Sequence, residues 1–292
     1  MKKSRKTAIV IGVILLIGIY YYVTLPAINI HSTDTWFYIA GLIVFILVFY
    51  IIRKRMRPTE IRESKPAKAM LTVLLAVGVV YLIGSILSSP IVNAKKYQKL
   101  LKVEKGNFTE DVEEVSFDRV PLLDKDTAEI LGDRKMGSMV DMVSQFEADD
   151  IYTQINYKER PVRVTPLKYA SFIKWITNQS EGIPAYIRID MASQNTELVK
   201  LDQGIKYSTS EYLNRNIYRH LRFRYPTAIF DELSFEIDDK GVPYWVAPVK
   251  KFNIGLFGGE TVGSVVLCNA VTGECKSYKI EDVPQWVDRA YS

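Results

Sequence analysis

The chain contains few of the residues that metal sites and disulfide frameworks require. Among its 292 residues are two cysteines, Cys268 and Cys275, and two histidines, His31 and His220. No Cys-x-x-Cys or His-x-x-x-His pair occurs, so the usual zinc ligand sets cannot be assembled, and we expect no metal and no cofactor. The sequence also lacks a Gly-x-Ser-x-Gly nucleophile motif and a P-loop. These absences predict a protein that is not an enzyme.

Charged residues are absent from three long hydrophobic runs, residues 8–23, 36–52 and 69–87. Each run is close to the roughly 20 residues that a helix needs to cross a bilayer core of about 30 Å, and none shows a polar stripe. Tyrosine and tryptophan lie near the run ends, as interfacial aromatic residues do. We therefore expect a three-span anchor in residues 1–90, without a cleaved signal peptide. No ionisable residue lies within a run, so an ion path is not expected.

Lysine and arginine are unevenly distributed around these runs. Four precede the first run and seven lie in residues 53–68, whereas residues 25–34 contain none. The positive-inside rule then places the N-terminus and residues 53–68 in the cytoplasm and everything after residue 87 outside it. Five lysines between residues 95 and 105 oppose this orientation, but eleven basic residues against five favour it. The net charge of +5 therefore reflects membrane topology, and no nucleic-acid partner is expected.

The sequence repeats itself beyond a predicted helical stalk at residues 91–107. Residues 155–168 and 237–250 are identical at six of fourteen positions with an offset of 82, which aligns Pro161 with Pro243. The same offset aligns residues 126–131 with 208–213, and both have the pattern of a helix-capping box that ends in Glu129 or Glu211. We therefore predict two tandem repeats, residues 108–203 and 204–292.

Each repeat is predicted to combine one helix with a small antiparallel sheet, so the fold class is α+β behind three transmembrane helices. The predicted helices are residues 126–136 and 209–224. The predicted strands and hairpins are residues 143–148, 161–168 and 184–200 in repeat 1, and 231–237, 243–250 and 263–280 in repeat 2. The connection 169–177 is predicted to form a short helix, whereas the glycine-rich residues 255–259 predict a flexible hairpin loop.

This order of elements resembles PepSY-type domains, in which a helix precedes an antiparallel sheet that ends in an Asp-x-x-Thr-Gly-Glu type turn. The matching residues are Asn269 and Thr272-Gly273-Glu274, and repeat 1 has Asp190 and Thr196 without the glycine. Residues 131–135, 183–187 and 246–248 also resemble uncharacterised membrane proteins of Gram-positive bacteria. The resemblance implies an extracytoplasmic regulatory or binding module, sometimes a protease inhibitor. Those proteins run on further, which leaves open that this chain is a partial sequence.

One charged motif is a candidate for contact with a partner. Arg215, Arg219 and Arg222 recur at helical spacing and predict one basic stripe for an anionic partner. The alternative is a solvated helix face opposite the apolar residues Leu213, Ile217 and Leu221.

Two further residue pairs lie in predicted strands. Because strand side chains alternate, one of Tyr244 and Trp245 should face away from the core as an aromatic contact, although packing against the helix is an equal alternative. Cys268 and Cys275 flank a predicted four-residue loop, so they face each other if the register holds. A disulfide is then possible, whereas a slip of one residue would turn the sulfur atoms to opposite faces.

Together these features predict a non-catalytic, membrane-anchored binding or regulatory module of the cell envelope. The expected partners are the lipid bilayer and either another envelope protein or an anionic envelope polymer. One alternative is an envelope hydrolase or transferase that uses the acidic pairs Asp124/Asp126, Asp149/Asp150 or Asp238/Asp239, although short acidic residues more often cap turns and helices. The other alternative is a structural subunit of a membrane complex.

Overall fold

The charge-free N-terminal runs form helices in the structure, a computed structural model that describes residues 2–101, 103–112 and 114–290. The helices are α1 (Lys2–Thr24), α2 (Thr33–Lys54), α3 (Pro58–Glu63), α4 (Lys65–Ser88) and α5 (Pro90–Gln98). Proline stands in the first turn of α3, α4 and α5, where its missing N–H would have no helical partner in any case.

Helices α2 and α4 are long and apolar enough to cross a membrane. They contain 22 and 24 residues, and only 6% of the apolar window of each is buried. A core helix of a soluble protein would be mostly buried, so the exposed apolar surfaces of these two helices are compatible with a membrane. The apolar part of α1 that the structure describes, Ile11–Thr24, is shorter. The predicted count of three spans therefore stays a prediction.

The predicted stalk is shorter than residues 91–107. Helix α5 ends at Gln98 and has a non-helical residue, Asn93, within it. Beyond α5, Leu101 and Val103 are 80% and 94% exposed, so no buried face supports a longer helix. Lys102, which the predicted stalk includes, lies outside the described residues. A single helical turn, α6 (Phe108–Asp111), follows.

Contacts group the membrane-type helices with two segments that are distant in sequence. This first compact unit comprises Met1–Lys102, Tyr225–Ile229 and Lys251–Thr261. Within it, Ser88 Oγ at the end of α4 accepts the backbone N–H groups of Leu256 (2.9 Å) and Phe257 (3.0 Å). The predicted flexible loop at residues 255–259 is thus a turn that is hydrogen-bonded to a helix end.

Further contacts surround the same turn. Tyr97 Oη accepts the N–H of Gly259 (3.1 Å) and donates to the carbonyl of Ser88 (2.8 Å). A Cβ on Gly84 would lie 2.8 Å from a methyl group of Leu256, so any larger residue here would displace the Leu256 side chain. The short side chains of this face therefore allow the turn to approach the helix backbone closely.

The second compact unit comprises Val103–Arg224, Phe230–Lys250 and Val262–Ser292, and its first half forms an antiparallel sheet. The elements are α7 (Lys125–Gly137), β1 (Phe146–Ala148), β2 (Thr153–Tyr157), β3 (Arg160–Tyr169), α8 (Phe172–Asn178), β4 (Ile183–Asp190) and β5 (Thr196–Ile205). Strands β1 and β2 both pair with β3, which pairs with β4, which pairs with β5. Helix α7 buries Ala128 and Met136.

The remaining elements form a four-stranded antiparallel sheet. They are α9 (Ile217–Arg224), β6 (Ser234–Ile237), β7 (Pro243–Ile254), β8 (Gly258–Asn269) and β9 (Cys275–Lys279), and the strand order is β6-β7-β8-β9. The ends of β7 and β8 at their shared turn belong to the first unit. On one face of this sheet, Val246, Val265 and Leu267 are buried with Ala290 of the C-terminal segment. Helices and antiparallel sheets together make the chain α+β.

A buried carboxylate holds the C-terminal segment to β6. Glu236 is fully buried and accepts the backbone N–H groups of Asp288 (2.9 Å) and Arg289 (3.1 Å) and the hydroxyl of Ser234 (3.0 Å). Burial raises the pKa of Glu236 because the charged form loses its hydration. The sequence pattern did not indicate this contact.

Several predicted elements need correction. The first helix has its cap at Asp124, whose carboxylate accepts the N–H of Thr127 (2.7 Å), rather than at Asp126. The predicted helix 209–224 is a 3-10 turn at Leu213–Arg215 followed by α9, because Asn216 has an extended backbone. The predicted strand 143–148 is confirmed only at Phe146–Ala148, and strand β2 was missed.

The prolines of the two sheets occupy similar strand positions with different turns. Pro161 pairs with Asn156 across a gap of four residues, and Pro243 pairs with Ile237 across a gap of five. The predicted equivalence of Ile155 with Ile237 is therefore wrong by one residue in this turn. The 82-residue offset describes the proline-bearing strands but not the strands that precede them.

Candidate binding face and cleft

A short helix presents apolar side chains at the surface of the second unit. Helix α8 begins after Ser171, whose Oγ accepts the N–H of Lys174 (3.3 Å). With only seven residues, α8 depends on tertiary contacts for its stability. Trp175 supplies that contact because it is 9% exposed and points into the protein. The short helix predicted at residues 169–177 is confirmed.

Glu211 fastens α8 to the segment that precedes α9. Its carboxylate accepts the indole N–H of Trp175 (2.7 Å) and the hydroxyl of Tyr169 (2.8 Å), and the residue is 2% exposed. Burial raises the pKa of Glu211, and burial together with the Glu211 hydrogen bond raises the pKa of Tyr169. The predicted capping-box role of Glu211 is wrong, because α9 begins only at Ile217. A buried acceptor and a cap acceptor look alike in a single sequence.

Helix α8 and the residues that follow Glu211 carry exposed apolar side chains. Phe172 contacts Trp175 and Tyr212 with ring centroids 5.4 and 5.1 Å apart, and Trp175 and Tyr212 are 4.7 Å apart. We call the following residues the apolar face, with their exposed fractions: Phe172 (52%), Ile173 (69%), Ile176 (49%), Tyr212 (42%) and Leu213 (63%). Single exposed apolar residues are ordinary, whereas exposed apolar residues grouped together are a feature of contact surfaces.

A cleft of about 320 Å³ adjoins this face, and we call it the Arg219 cleft. Phe172 and Tyr212 form part of its wall, and its polar lining includes Ser171, Ser210, Asn216 and Arg219. Glu211 also lines the cleft, with each oxygen already accepting one of the two hydrogen bonds above. Hydroxyl, amide and guanidinium groups make up most of the polar lining, and Arg219 is its basic residue.

The three predicted stripe arginines do not share one helix. Arg215 lies in the 3-10 turn, and its Nη1 donates to the carbonyl of Gln179 (2.6 Å) after α8. Arg219 donates to the carbonyl of Leu213 (3.5 Å) and lines the cleft. Arg222 lies over the ring of Phe230, 5.5 Å from its centroid. The predicted single stripe is therefore corrected: Arg215 and Arg219 flank the apolar face, and Arg222 packs elsewhere.

The alternative interpretation of the arginine segment, a solvated helix face opposite Leu213, Ile217 and Leu221, is correct only in part. Ile217 and Leu221 are buried, as a core-facing side of α9 requires, but Leu213 is exposed. Leu213 has a positive φ of 52°, which turns the chain before the helix begins.

The predicted aromatic contact at β7 is not exposed. Trp245 is fully buried, and its indole N–H donates to the carbonyl of Tyr207 (2.8 Å). Tyr244 is half-buried against Trp286 of the C-terminal segment, with ring centroids 5.0 Å apart. The side chains alternate as predicted, but both faces of the strand are covered.

The cysteines meet across β8 and β9. Cys268 pairs with Cys275 in the strand register, their Cα atoms are 4.0 Å apart, and the structure joins them in a disulfide. The bond closes a short loop, so chain-entropy theory gives it about 2.5 kcal/mol of stabilisation.

One aspartate of each predicted acidic pair accepts a hydrogen bond in a helix cap, a turn or a tertiary contact. Besides the cap at Asp124, Asp149 accepts the hydroxyl of Thr209 (2.7 Å) and Asp238 accepts the N–H of Val242 (2.9 Å). Within the part of the chain that the structure describes, no group of three or more His, Cys, Asp or Glu side chains could hold a metal ion.

Comparison with protein-family models, with curated proteins and with solved structures finds no match to this chain. The face and the cleft are therefore interpreted from their own geometry. Sequence reasoning identified Arg215 and Arg219 as candidates but missed Phe172, Tyr212 and Glu211 as parts of one site. The apolar residues of α8 could be recognised in the sequence. The sequence did not show that Phe172, Ile173 and Ile176 are exposed.

Proposed function

We propose that the chain is a membrane-anchored, non-catalytic module of the cell envelope that binds and regulates another envelope protein. Three spans hold its α+β part outside the cytoplasm, and α1 is the first of them. The unburied apolar surfaces of α2 and α4 support the anchor, and the distribution of lysine and arginine supports the orientation.

The α+β part is a duplicated, PepSY-like domain. Two features support the duplication: consecutive antiparallel strands, β2 to β5 and β6 to β9, follow a helix in each half, and each proline-bearing strand follows a turn. The turn Asn269–Glu274, in which Asn269 Oδ1 accepts the N–H groups of Val271 and Thr272 (both 2.9 Å), supports the PepSY likeness.

The observation that carries the proposed binding function is the combination of the apolar face with positive charge. Residues 170–180 and 212–224 contain no acidic residue and five basic ones: Lys174, Arg215, Arg219, Arg222 and Arg224. Aromatic and arginine side chains are the residues that contribute most to protein interfaces. An acidic segment with apolar side chains complements this face in charge and in hydrophobicity. The partner is therefore a protein that displays such a segment.

A photo-reactive amino acid at position 173 tests the function in intact cells that express the full chain. The expected result is a discrete protein adduct whose cross-linked peptide, identified by mass spectrometry, contains Asp or Glu. The Leu213→Asp substitution on the same face should abolish the adduct, because it buries a charge against the partner.

Position 130 is the matched control, because Ile130 is also about half exposed (52%) but lies on α7. Adducts that form equally from positions 130 and 173, or that survive Leu213→Asp, would contradict the proposal. Adducts with lipid alone would assign the face to the bilayer, and adducts with a wall polymer would assign it to that polymer.

A further inference from the structure

The Arg219 cleft is suited to a single protruding group rather than to a flat surface. Its volume of about 320 Å³ lies at the small end of the range for ligand sites. The wall formed by Phe172 and Tyr212 is continuous with the apolar face, so a side chain that enters the cleft keeps its stem against aromatic rings. The other lining residues include the polar residues Ser171, Thr209, Ser210, Glu211, Asn216 and Arg219.

The donors of the cleft determine the chemistry of the group that enters it. The guanidinium of Arg219 and the hydroxyl groups of Ser171 and Ser210 line the cleft. Ser171 Oγ accepts the backbone N–H of Lys174 (3.3 Å), and a hydroxyl that accepts one hydrogen bond still has a proton to donate. Ser210 Oγ accepts the backbone N–H of Tyr169 (3.3 Å) and shares a further hydrogen bond with Ser208 Oγ (3.3 Å). These donors favour an oxygen-rich acceptor.

The charge balance around the cleft also favours an anion. Glu211 is its one acidic lining residue, and both oxygens of that carboxylate already accept hydrogen bonds from Tyr169 and Trp175. Two guanidinium groups, those of Arg215 and Arg219, and the ammonium group of Lys174 lie on the segments that surround it. Asp149, which accepts the hydroxyl of the lining residue Thr209, adds a second carboxylate beside the cleft. Three positive charges therefore stand against two negative ones.

We propose that the Arg219 cleft binds the side-chain carboxylate of an Asp or Glu residue in the partner polypeptide. This inference rests on the proposed function and names the feature that the binding face recognises. The carboxylate accepts from Arg219 and Ser171, while apolar neighbours of the same peptide cover Ile173 and Leu213. A charge-assisted hydrogen bond of this kind is stronger than a neutral one.

A random hexapeptide library tests the proposal directly with the full chain in nanodiscs of zwitterionic lipid. The expected result is enrichment of Asp and Glu at one position next to apolar residues, about tenfold over Asn and Gln, as one charge-assisted hydrogen bond predicts. Arg219→Gln should remove this enrichment, and Arg219→Lys should retain part of it. Arg222→Gln is the matched control and should leave it unchanged, because Arg222 packs on Phe230.

Three results would overturn the proposal: no acidic preference, an acidic preference that survives Arg219→Gln, or a preference for Lys and Arg. A preference for Lys and Arg would mean that Glu211 and the aromatic rings bind a cation. Loss of the acidic preference on addition of inorganic phosphate at millimolar concentration would assign the cleft to phosphate. Failure of the proposed function is separate, because the adduct at position 173 can be absent in cells while the library still reports the cleft chemistry.

Discussion

His220 shows how a single side chain of α9 makes the stability of the second unit depend on pH. Its Nε2 lies 2.7 Å from the carbonyl of Gly273, which can only accept, so this nitrogen carries the proton. The imidazole also packs on the ring of Tyr207, with centroids 4.3 Å apart. Burial lowers the pKa of His220, and the positive charge of Arg224 lowers it further. The folded protein therefore holds the neutral form.

The folded state consequently binds fewer protons at this site than the unfolded state. Stability should be complete above the unfolded pKa, about 6.5, and should fall as the pH drops below that value. We expect the thermal midpoint of the full chain in detergent to be lower at pH 5.5 than at pH 7.5. In His220→Gln, whose amide can still donate to Gly273, this difference should shrink. An equal difference in both proteins would show that other groups cause it.

At the scale of elements, the β7–β8 turn depends on one hydroxyl group. Ser88→Ala removes the acceptor of two backbone N–H groups, those of Leu256 and Phe257. A part-buried donor that loses its acceptor costs about 1–3 kcal/mol, so the turn should open at least about fivefold more often. Hydrogen exchange of residues 251–261 should accelerate accordingly in Ser88→Ala.

Ser85→Ala is the matched control for this prediction. Ser85 lies on the same helix, and its hydroxyl donates to the carbonyl of Tyr81 (2.8 Å), a local bond that does not involve the turn. Exchange of residues 251–261 should be unchanged in this variant. If both variants accelerate exchange alike, general loosening of α4 would explain the effect instead of the lost acceptor.

The elements that could be predicted from sequence are those whose signal is local. Proline, helix-capping residues and charge-free runs mark α2, α4 and α8, because these features act within a few residues. The strand β3 and the hairpin partners of Cys268 were predictable from alternation and from a turn. Residues 161–168 and 243–250 were both predicted as strands, and they lie within β3 and β7.

The features that were predicted wrongly depend on contacts between residues that are distant in the sequence. Glu211 has the spacing of a cap residue but serves Trp175 and Tyr169, which lie at least 36 positions away. The glycines at 255–259 have the composition of a free loop, yet Ser88 binds the turn from 168 positions away. No pattern within a window of ten residues contains such information. The candidate site combines both kinds, since Arg219 was visible and the face beside it was not.

At the scale of the whole molecule, the proposed membrane orientation rests on the distribution of charge. Seven basic residues in 53–68 and four before residue 8 are proposed to lie in the cytoplasm, against five lysines between 95 and 105. The surface of the cytoplasmic leaflet is negative and stabilises nearby Lys and Arg by about 1 kcal/mol each. Eleven residues against five therefore leave a clear net preference. The five lysines reduce it without reversing it.

We expect protease added outside intact cells or protoplasts to remove the residues beyond about 105 and to leave residues 53–68 protected, as the positive-inside rule predicts. Antibodies against tags placed in each segment can follow both fragments on one gel. A tag in residues 25–34 should also be reached from outside, because the first two proposed spans flank it.

An oxidising exterior adds an independent requirement: the denatured, unreduced chain should show no free thiol, since Cys268 and Cys275 are bonded to each other. Cleavage of the C-terminal part only in inverted vesicles, together with two free thiols, would place that part in the cytoplasm and reverse the topology.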